Sequence, residues 1–296
     1  MSGRYRTLVI GKEEEGRTVG EILRSVLGMS ASRIRSVKFD AAGLLLDGER
    51  VRTSAAVRAG QSLQILLTDS ENKPDKLLPF DMPLHILYED EDLIALAKPA
   101  GIVMHPSQGH PYDTLANGVR AYFDRADAEA RVHCIGRLDK DTSGAVLFAK
   151  NAEAARLLER PGAVKKQYLA FCEGELEGDG WQVIDRPMEG CRREDGMLVM
   201  TEGGRPAVTR YRVRRCAEGM TALDVEIETG RTHQIRYHFA SLGHPLVGDA
   251  LYGHGSALIG RTALHAALLT FHTPFTHRTI AVEAPVPEDM GRLALL

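Results

Sequence analysis

Strand-like runs recur between residues 84 and 296 without regular helices between them, and this most narrowly limits the fold. The runs are Asp92 to Ala97, Ala145 to Ala149, Gln167 to Cys172, Ala207 to Val213, Ala222 to Glu228 and Thr279 to Glu283. Helical patterns are fewer: Thr114 to Phe123, Ala152 to Leu158 behind a cap at Asn151, and His233 to Leu242. A doubly wound parallel sheet needs a helix after each strand, so the pattern predicts an α+β fold. Leu223, Val225 and Ile227 alternate with Asp224, Glu226 and Glu228, the signature of an antiparallel strand with one wet face.

The amino-terminal part reads differently. Residues 1–16 form an extended arm with a short apolar strand at Leu8-Val9-Ile10. Thr18 caps a helix with apolar positions Val19, Ile22, Leu23, Val26 and Leu27, which Gly28 ends. Ser30 caps a second, basic helix carrying Arg33, Arg35 and Lys38. Three short strands follow, at Leu44–Leu46, around Val51 and at Ser62–Leu67, with a tight Asp47-Gly48 turn. Element order and the rhythm of Leu23, Leu27, Gly28, Ser30 and Ile34 resemble the RNA-binding domain first described in ribosomal protein S-four. That resemblance implies a small α/β RNA-binding module over 17–68, with Arg33, Arg35 and Lys38 as RNA contacts. Residues 69–83, with Pro74, Pro79, Pro83 and mixed charge, have linker composition. The remainder, 84–296, reads as one domain.

Composition fits this division. The chain has 296 residues, 44% hydrophobic and 26% charged, a globular balance. No apolar run reaches the roughly 20 residues a membrane helix needs, and the first residues lack a signal-peptide pattern, so a cytoplasmic location is expected. Cys134, Cys172, Cys191 and Cys216 are far apart and read as reduced thiols. The net charge of −3 argues against nucleic acid, but its distribution softens the objection. Residues 17–67 hold eight Lys/Arg against four Asp/Glu, and residues 68–92 hold two Lys against eight acids.

Three segments concentrate reactive side chains. Gly136-Arg137-Leu138-Asp139-Lys140-Asp141-Thr142-Ser143-Gly144 puts charges and a turn directly before an apolar strand, where a rigid scaffold can hold a reactive group. By spacing alone a surface turn with solvated charges is the better reading. Lys166 and Tyr168 share one face of a strand. In Gly230-Arg231-Thr232-His233-Gln234-Ile235-Arg236, Thr232 is placed to cap a helix. Ile235, Phe239 and Leu242 line the apolar face of that helix, and Arg236 at its edge calls for an anionic partner, of which Asp139 is one.

Taken together, these segments resemble the signature motifs of the RluA-family RNA pseudouridine synthases: Arg137 to Gly144, Lys166 to Tyr168 and Gly230 to Arg236. Supporting matches are Lys98-Pro99-Ala100-Gly101 with His105-Pro106, and Gly243-His244-Pro245 with Gly248-Asp249 and Leu251-Tyr252-Gly253. The likeness covers about residues 84 to 290 in the family's order. One departure is Gly136, where the family usually has histidine. It bears on how the loop packs rather than on whether the reaction proceeds.

The resemblance implies a catalytic domain built on a mixed, mainly antiparallel sheet with flanking helices. It implies isomerisation of uridine to pseudouridine in structured RNA. Large-subunit ribosomal RNA stands ahead of transfer RNA, because ribosomal members carry a similar amino-terminal module. Asp139 is the implied catalytic carboxylate. Arg137 fills the space of the extruded base, Tyr168 stacks on the uracil and helps remove its last proton, and Arg236 pairs with Asp139 and keeps it ionised. Arg231 and Lys166 are further RNA contacts. Isomerisation transfers no external group and no electrons, so no metal or organic cofactor is implied, and a monomer is expected.

Three rivals stand against this reading. A metallohydrolase built on His233 and His238 would need ligands three or four residues apart, and these are five apart. A glycosidase using Asp139 and Asp141 would need both on one face, and a spacing of two on an extended loop turns them apart. A non-catalytic RNA-binding protein would have no use for the intact Asp139, Tyr168 and Arg236.

Overall fold

The computed structural model describes residues 5–67, 77–126, 130–192 and 198–295. The chain divides into two compact units, Met1–Asp75 with Asn151–Glu153, and Lys76–Lys150 with Ala154–Leu296.

The amino-terminal unit is built on β1 (Tyr5–Val9), β2 (Leu44–Leu46), β3 (Glu49–Arg50) and β4 (Ser62–Leu66). These form an antiparallel sheet in the order β1-β4-β2-β3. Tyr5–Val9 pairs with β4 over five residues, so it is a sheet strand and not an arm. Thr18 and Glu21 form a reciprocal capping box that starts α1 (Val19–Glu21). The chain continues as a π-helical segment, Ile22–Val26, whose wider turn buries Ile22 and Leu23 and leaves Val26 40% exposed. Ser30 accepts a hydrogen bond from the Arg33 backbone N–H at 3.2 Å and caps α2 (Ala31–Phe39). Leu23, Leu27 and Ile34 meet Leu44, Leu63 and Ile65 in one core.

The larger unit has β5 (Ile86–Glu89), β6 (Leu93–Lys98), α3 (Leu115–Arg125), β7 (His133–Ile135), β8 (Ser143–Ala149), α4 (Ala152–Leu158) and β9 (Val164–Glu173). Then come β10 (Trp181–Asp185), β11 (Met188–Arg192), β12 (Leu198–Glu202), β13 (Val208–Ala217), β14 (Met220–Ile227) and α5 (Gln234–Ser241). The chain closes with β15 (Leu264–His272), β16 (Thr279–Glu283) and α6 (Glu288–Leu295). The main sheet runs β10-β13-β14-β9-β15-β8-β6-β5, with β7 beside β8 and β16 beside β15. β11 and β12 make a separate hairpin. Among the described residues of this unit every strand pairing is antiparallel except that of β15 with β8.

That parallel pairing is short. Only Ser143 and Gly144 face His265 and Ala266, after which β8 takes up β7 and β15 takes up β16. Gly144 has φ +120, and a Cβ there would lie 2.3 Å from the Ala266 carbonyl oxygen. Glycine is therefore required for the two strands to meet. One sheet face buries Ile94, Leu96, Val146 and Phe148 under α3 and α5. The other buries Leu93, Ala95, Ala145 and Leu147 with α4. All seven residues of β8 are buried, so the loop preceding it hangs from the middle of the core.

The linker expected over 69–83 needs revision where it is described; residues 69–76 lie outside the described residues. Leu77 and Met82 pack on the core of the larger unit. Asn117 donates from Nδ2 to the Leu78 carbonyl at 2.7 Å and accepts the Phe80 N–H on its own carbonyl at 3.2 Å. Among the described residues no helix is long and apolar enough to cross a membrane.

Candidate active site

The loop between β7 and β8 is fixed at both ends. Leu138 is 4% exposed and anchors it in the core, which turns Arg137 and Asp139 towards a cleft. The Thr142 N–H closes the turn by donating to the Asp139 carbonyl at 3.2 Å. Nζ of the buried Lys98 lies 2.7 to 2.9 Å from the carbonyls of Pro99, Ile102 and Lys140. It thereby ties the end of β6 to the Asp139 loop.

Burial pushes the Lys98 pKa down to about 7, against the pull of Asp141 and Asp139. Between about pH 7 and the ordinary lysine value, the unfolded chain therefore holds a proton that the folded chain has shed. Stability conferred by this position rises with pH through that window. In urea unfolding at pH 7 and pH 9, wild type is expected to gain on Lys98→Met at the higher pH. An unchanged difference would show that Lys98 stays charged throughout.

The opposite wall comes from the start of α5. Thr232 does not cap this helix; His233 precedes it with φ +53 and makes no side-chain capping bond. The segment is organised instead by Gln234. Its Oε1 accepts from the Thr229 hydroxyl at 2.7 Å and the Arg231 N–H at 3.1 Å. Its Nε2 donates to the Val208 carbonyl and the Thr209 hydroxyl, both at 3.0 Å. This holds α5 against β13 and sets the direction of Arg236.

Arg236 grips Asp249, not Asp139. Its Nε and Nη2 donate to the two carboxylate oxygens of Asp249 at 2.6 and 2.7 Å, a bidentate pair. Asp249 is fully buried and also accepts the N–H groups of Leu251 and Tyr252. The guanidinium carbon lies 5.3 Å from the centre of the Tyr252 ring. Only Nη1 turns to Asp139, 3.9 Å from Oδ2. His233 Nε2 lies 4.0 Å from that same oxygen. The predicted pairing is thus an ion-pair contact, while the hydrogen-bonded partner is a carboxylate that the sequence reading named only within a supporting motif and not as the partner of Arg236. Its signal was present: an acid following the apolar Leu246-Val247, where a buried charge needs a cation.

Asp139 makes no side-chain hydrogen bond with any described residue, and its side chain is 19% exposed. It lies in a cleft of about 640 Å³ with Arg137, Lys166, Tyr168, Arg231 and His233. Asp141 does not line it. Tyr168 is 5% exposed, and burial, then the charge of Asp139, raises its pKa. Burial lowers the Lys166 pKa to about 8, and burial raises that of its neighbour Cys134 to about 12. Gly136 has φ +69, and a Cβ there would lie 3.5 Å from Lys166 Nζ. Glycine here serves the left-handed backbone conformation, since a Cβ would make only an ordinary contact with the lysine. Arg231 is exposed and reaches the Pro206 carbonyl from Nε at 3.4 Å.

His238 and His244 serve the fold. His238 is buried between the Thr209 hydroxyl and the Arg186 carbonyl. His244 Nδ1 lies 2.8 Å from the Glu173 carbonyl. Among the described residues no group of three or more His, Cys, Asp or Glu could hold a metal ion.

In the amino-terminal unit, the guanidinium of Arg33 donates to the Leu66 carbonyl at 2.6 Å, a contact that ties α2 to the end of β4. Arg35 and Lys38 are exposed. Lys38 Nζ lies 5.6 Å from the centre of the Phe39 ring, which is 74% exposed. Sequence reasoning passed over Phe39; its signal was an aromatic at the end of a basic helix.

Comparison with known proteins decides the family. A family model described as RNA pseudouridylate synthase matches residues 92–241. The chain belongs to the RNA pseudouridylate synthase family. The matched stretch contains Asp139, Tyr168 and Arg236, and Asp249 lies just beyond it. The uncharacterized RNA pseudouridine synthase YjbO of Bacillus subtilis is 37% identical, over 90% of this chain and 95% of that protein. Ribosomal large subunit pseudouridine synthase D of Xanthomonas campestris is 37% identical, over 99% of this chain and 92% of that one. Human RNA pseudouridylate synthase domain containing 1 superposes with a TM-score of 0.55 at 26% identity, over 69% of this chain and 84% of its own. As a pseudouridine synthase, the enzyme isomerises uridine in RNA, and its α+β catalytic fold is that of its structural neighbours.

Proposed function

We propose that this pseudouridine synthase modifies large-subunit ribosomal RNA and that Asp139 is its catalytic carboxylate. The observation that carries the site is a carboxylate without hydrogen bonds, opening on the cleft, with two nitrogen groups about 4 Å from one of its oxygens. The relative named for the ribosomal large subunit, matched along nearly its whole length, supports the substrate.

The reaction breaks the bond from C1′ of the ribose to N1 of uracil, turns the ring and joins C1′ to C5. The C5 proton is lost and N1 gains one, so the formula is unchanged. Positive character develops on the sugar when the first bond breaks. A carboxylate beside it can add to C1′ or remove the neighbouring C2′ proton. Either course needs an unengaged oxygen, and Asp139 has two. Arg137, exposed at the cleft, is suited to occupy the gap left by the swung-out base. Tyr168 keeps its phenolic proton at neutral pH, which suits it to pack on uracil and to pass a proton rather than hold a charge. Arg236 orients Asp139 from its anchorage on Asp249. Lys166 and Arg231 face the RNA backbone.

Residues 17–68 serve as the RNA-binding module in this reading, through Arg35, Lys38 and Phe39 on α2, an arrangement of cations and an exposed ring suited to unpaired bases. Arg33 contributes to the fold of that module. Pseudouridines mapped in total RNA from cells with and without the protein test the substrate: a site lost from large-subunit RNA is expected. Loss confined to transfer RNA would overturn it. Deleting residues 1–75 is expected to weaken RNA binding while the catalytic unit keeps its melting transition, and unchanged affinity would remove the module from the reading.

A further inference from the structure

Resting on that reading of Asp139, we propose that His233 is a positioning residue whose neutral imidazole, fixed in one tautomer by Tyr252, directs the reactive carboxylate oxygen. The proposed tautomer follows one direction through the hydrogen bonds that run from Met200 to His233. The backbone N–H of Met200 donates to the Tyr252 hydroxyl at 2.8 Å. The phenol's own hydrogen is then free for Nδ1 of His233, 3.0 Å away. An imidazole that accepts at Nδ1 carries its hydrogen on Nε2. Nε2 is the nitrogen 4.0 Å from Asp139 Oδ2. Arg236 Nη1 approaches the same oxygen at 3.9 Å. Two N–H groups thus converge on Oδ2 from outside hydrogen-bonding range and leave Oδ1 for chemistry.

Charge and backbone agree with this role. Burial lowers the pKa of His233, against the pull of Asp139, and burial raises that of Tyr252. The pair is therefore neutral at physiological pH. A second full cation beside Arg236 would oppose the positive charge that develops on the ribose, whereas a neutral donor does not. His233 also sits at φ +53, where glycine and asparagine are most at ease. Backbone preference alone does not call for an imidazole at this position.

The test compares His233→Gln, His233→Asn and Tyr252→Phe with wild type and with Asp139→Asn. The substrate is RNA labelled with 5-tritiated uridine, taken from cells lacking the enzyme. Single-turnover tritium release gives the rate, and filter retention of the same RNA gives affinity. Gln reaches the place of Nε2 with an N–H group, and Asn does not. His233→Asn is expected to slow turnover about 10²-fold, and His233→Gln to stay within about tenfold of wild type. Tyr252→Phe, which frees the tautomer but keeps the ring against Arg236, is expected to slow turnover about tenfold. Affinity should hold within about twofold throughout. A purely backbone role predicts the reverse order, since Asn suits the left-handed conformation better than Gln. That reversed order, a wild-type rate in Tyr252→Phe, or a fall in affinity parallel to the rate would each overturn the proposal. Retained turnover in Asp139→Asn would instead remove the catalytic assignment beneath it, whatever the order at His233.

Discussion

Asp139→Asn is expected to lower pseudouridine formation by at least about 10⁴-fold while RNA affinity stays within about twofold. The substitution keeps the shape of the side chain and removes its charge and basicity. An amide neither adds to an anomeric carbon nor takes a proton from C2′ at neutral pH. The fold should not register the change. The carboxylate makes no hydrogen bond that the loop depends on, and Lys98, Leu138 and the Thr142 N–H hold the loop without it. Arg236 keeps both bonds to Asp249. The variant should therefore melt with wild type, which separates loss of chemistry from loss of structure. A purified variant with normal turnover would falsify the assignment.

Asp249→Asn should do the opposite, damaging structure and chemistry together. Asp249 is fully buried, and its partner guanidinium is largely buried as well. Removing one charge from such a pair costs about 3–5 kcal/mol, because the other is left in the interior uncompensated. For a unit of this size that lowers the melting temperature by roughly 6–20 °C. Turnover should fall about 10²-fold, since Arg236 loses the anchor that aims Nη1 at Asp139. A double change, Asp249→Leu with Arg236→Met, removes both charges. It should recover much of the stability and none of the turnover. If the single variant melts with wild type, the pair is not the structural clamp described above.

Much of this was legible in the residues. Thr18 and Ser30 each sit where a capping side chain is needed, and each caps its helix. The alternation of Leu223 and Val225 with Asp224 and Glu226 marked a strand with one wet face, and β14 is that strand. The strand at the centre of the sheet, β15, escaped notice because most of it is buried without alternation. A run such as Leu264 to Leu269 has no period to read. β10 was missed because it is only five residues long, and the β11–β12 hairpin because β11 is short and broken by Glu189 and Gly190. In the site, Asp139, Tyr168 and Arg236 were found together because motifs carry residue types. What the motifs did not carry was pairing. The choice of Asp249 over Asp139 as the bonded partner of Arg236 depends on the distance between α5 and a turn well beyond it in sequence. The unusual backbone at His233 left no trace in propensities.

The two-residue parallel contact between β8 and β15 has a mechanical consequence. Asp139 rides on the β8 side of that seam, while Arg236 and His233 ride on strands and a helix from the β9–β14 side. The hydrophobic core nevertheless runs unbroken across the seam: Ile94 and Val146 on one side share a cluster with Tyr168 and Leu223 on the other, and Leu147 shares one with Leu269 and Phe271. The separation at Oδ2 is therefore set by packed side chains from both sides and not by the two paired residues alone. Gly144, with no side chain to hold the strands apart, is what lets that common interior close over the seam.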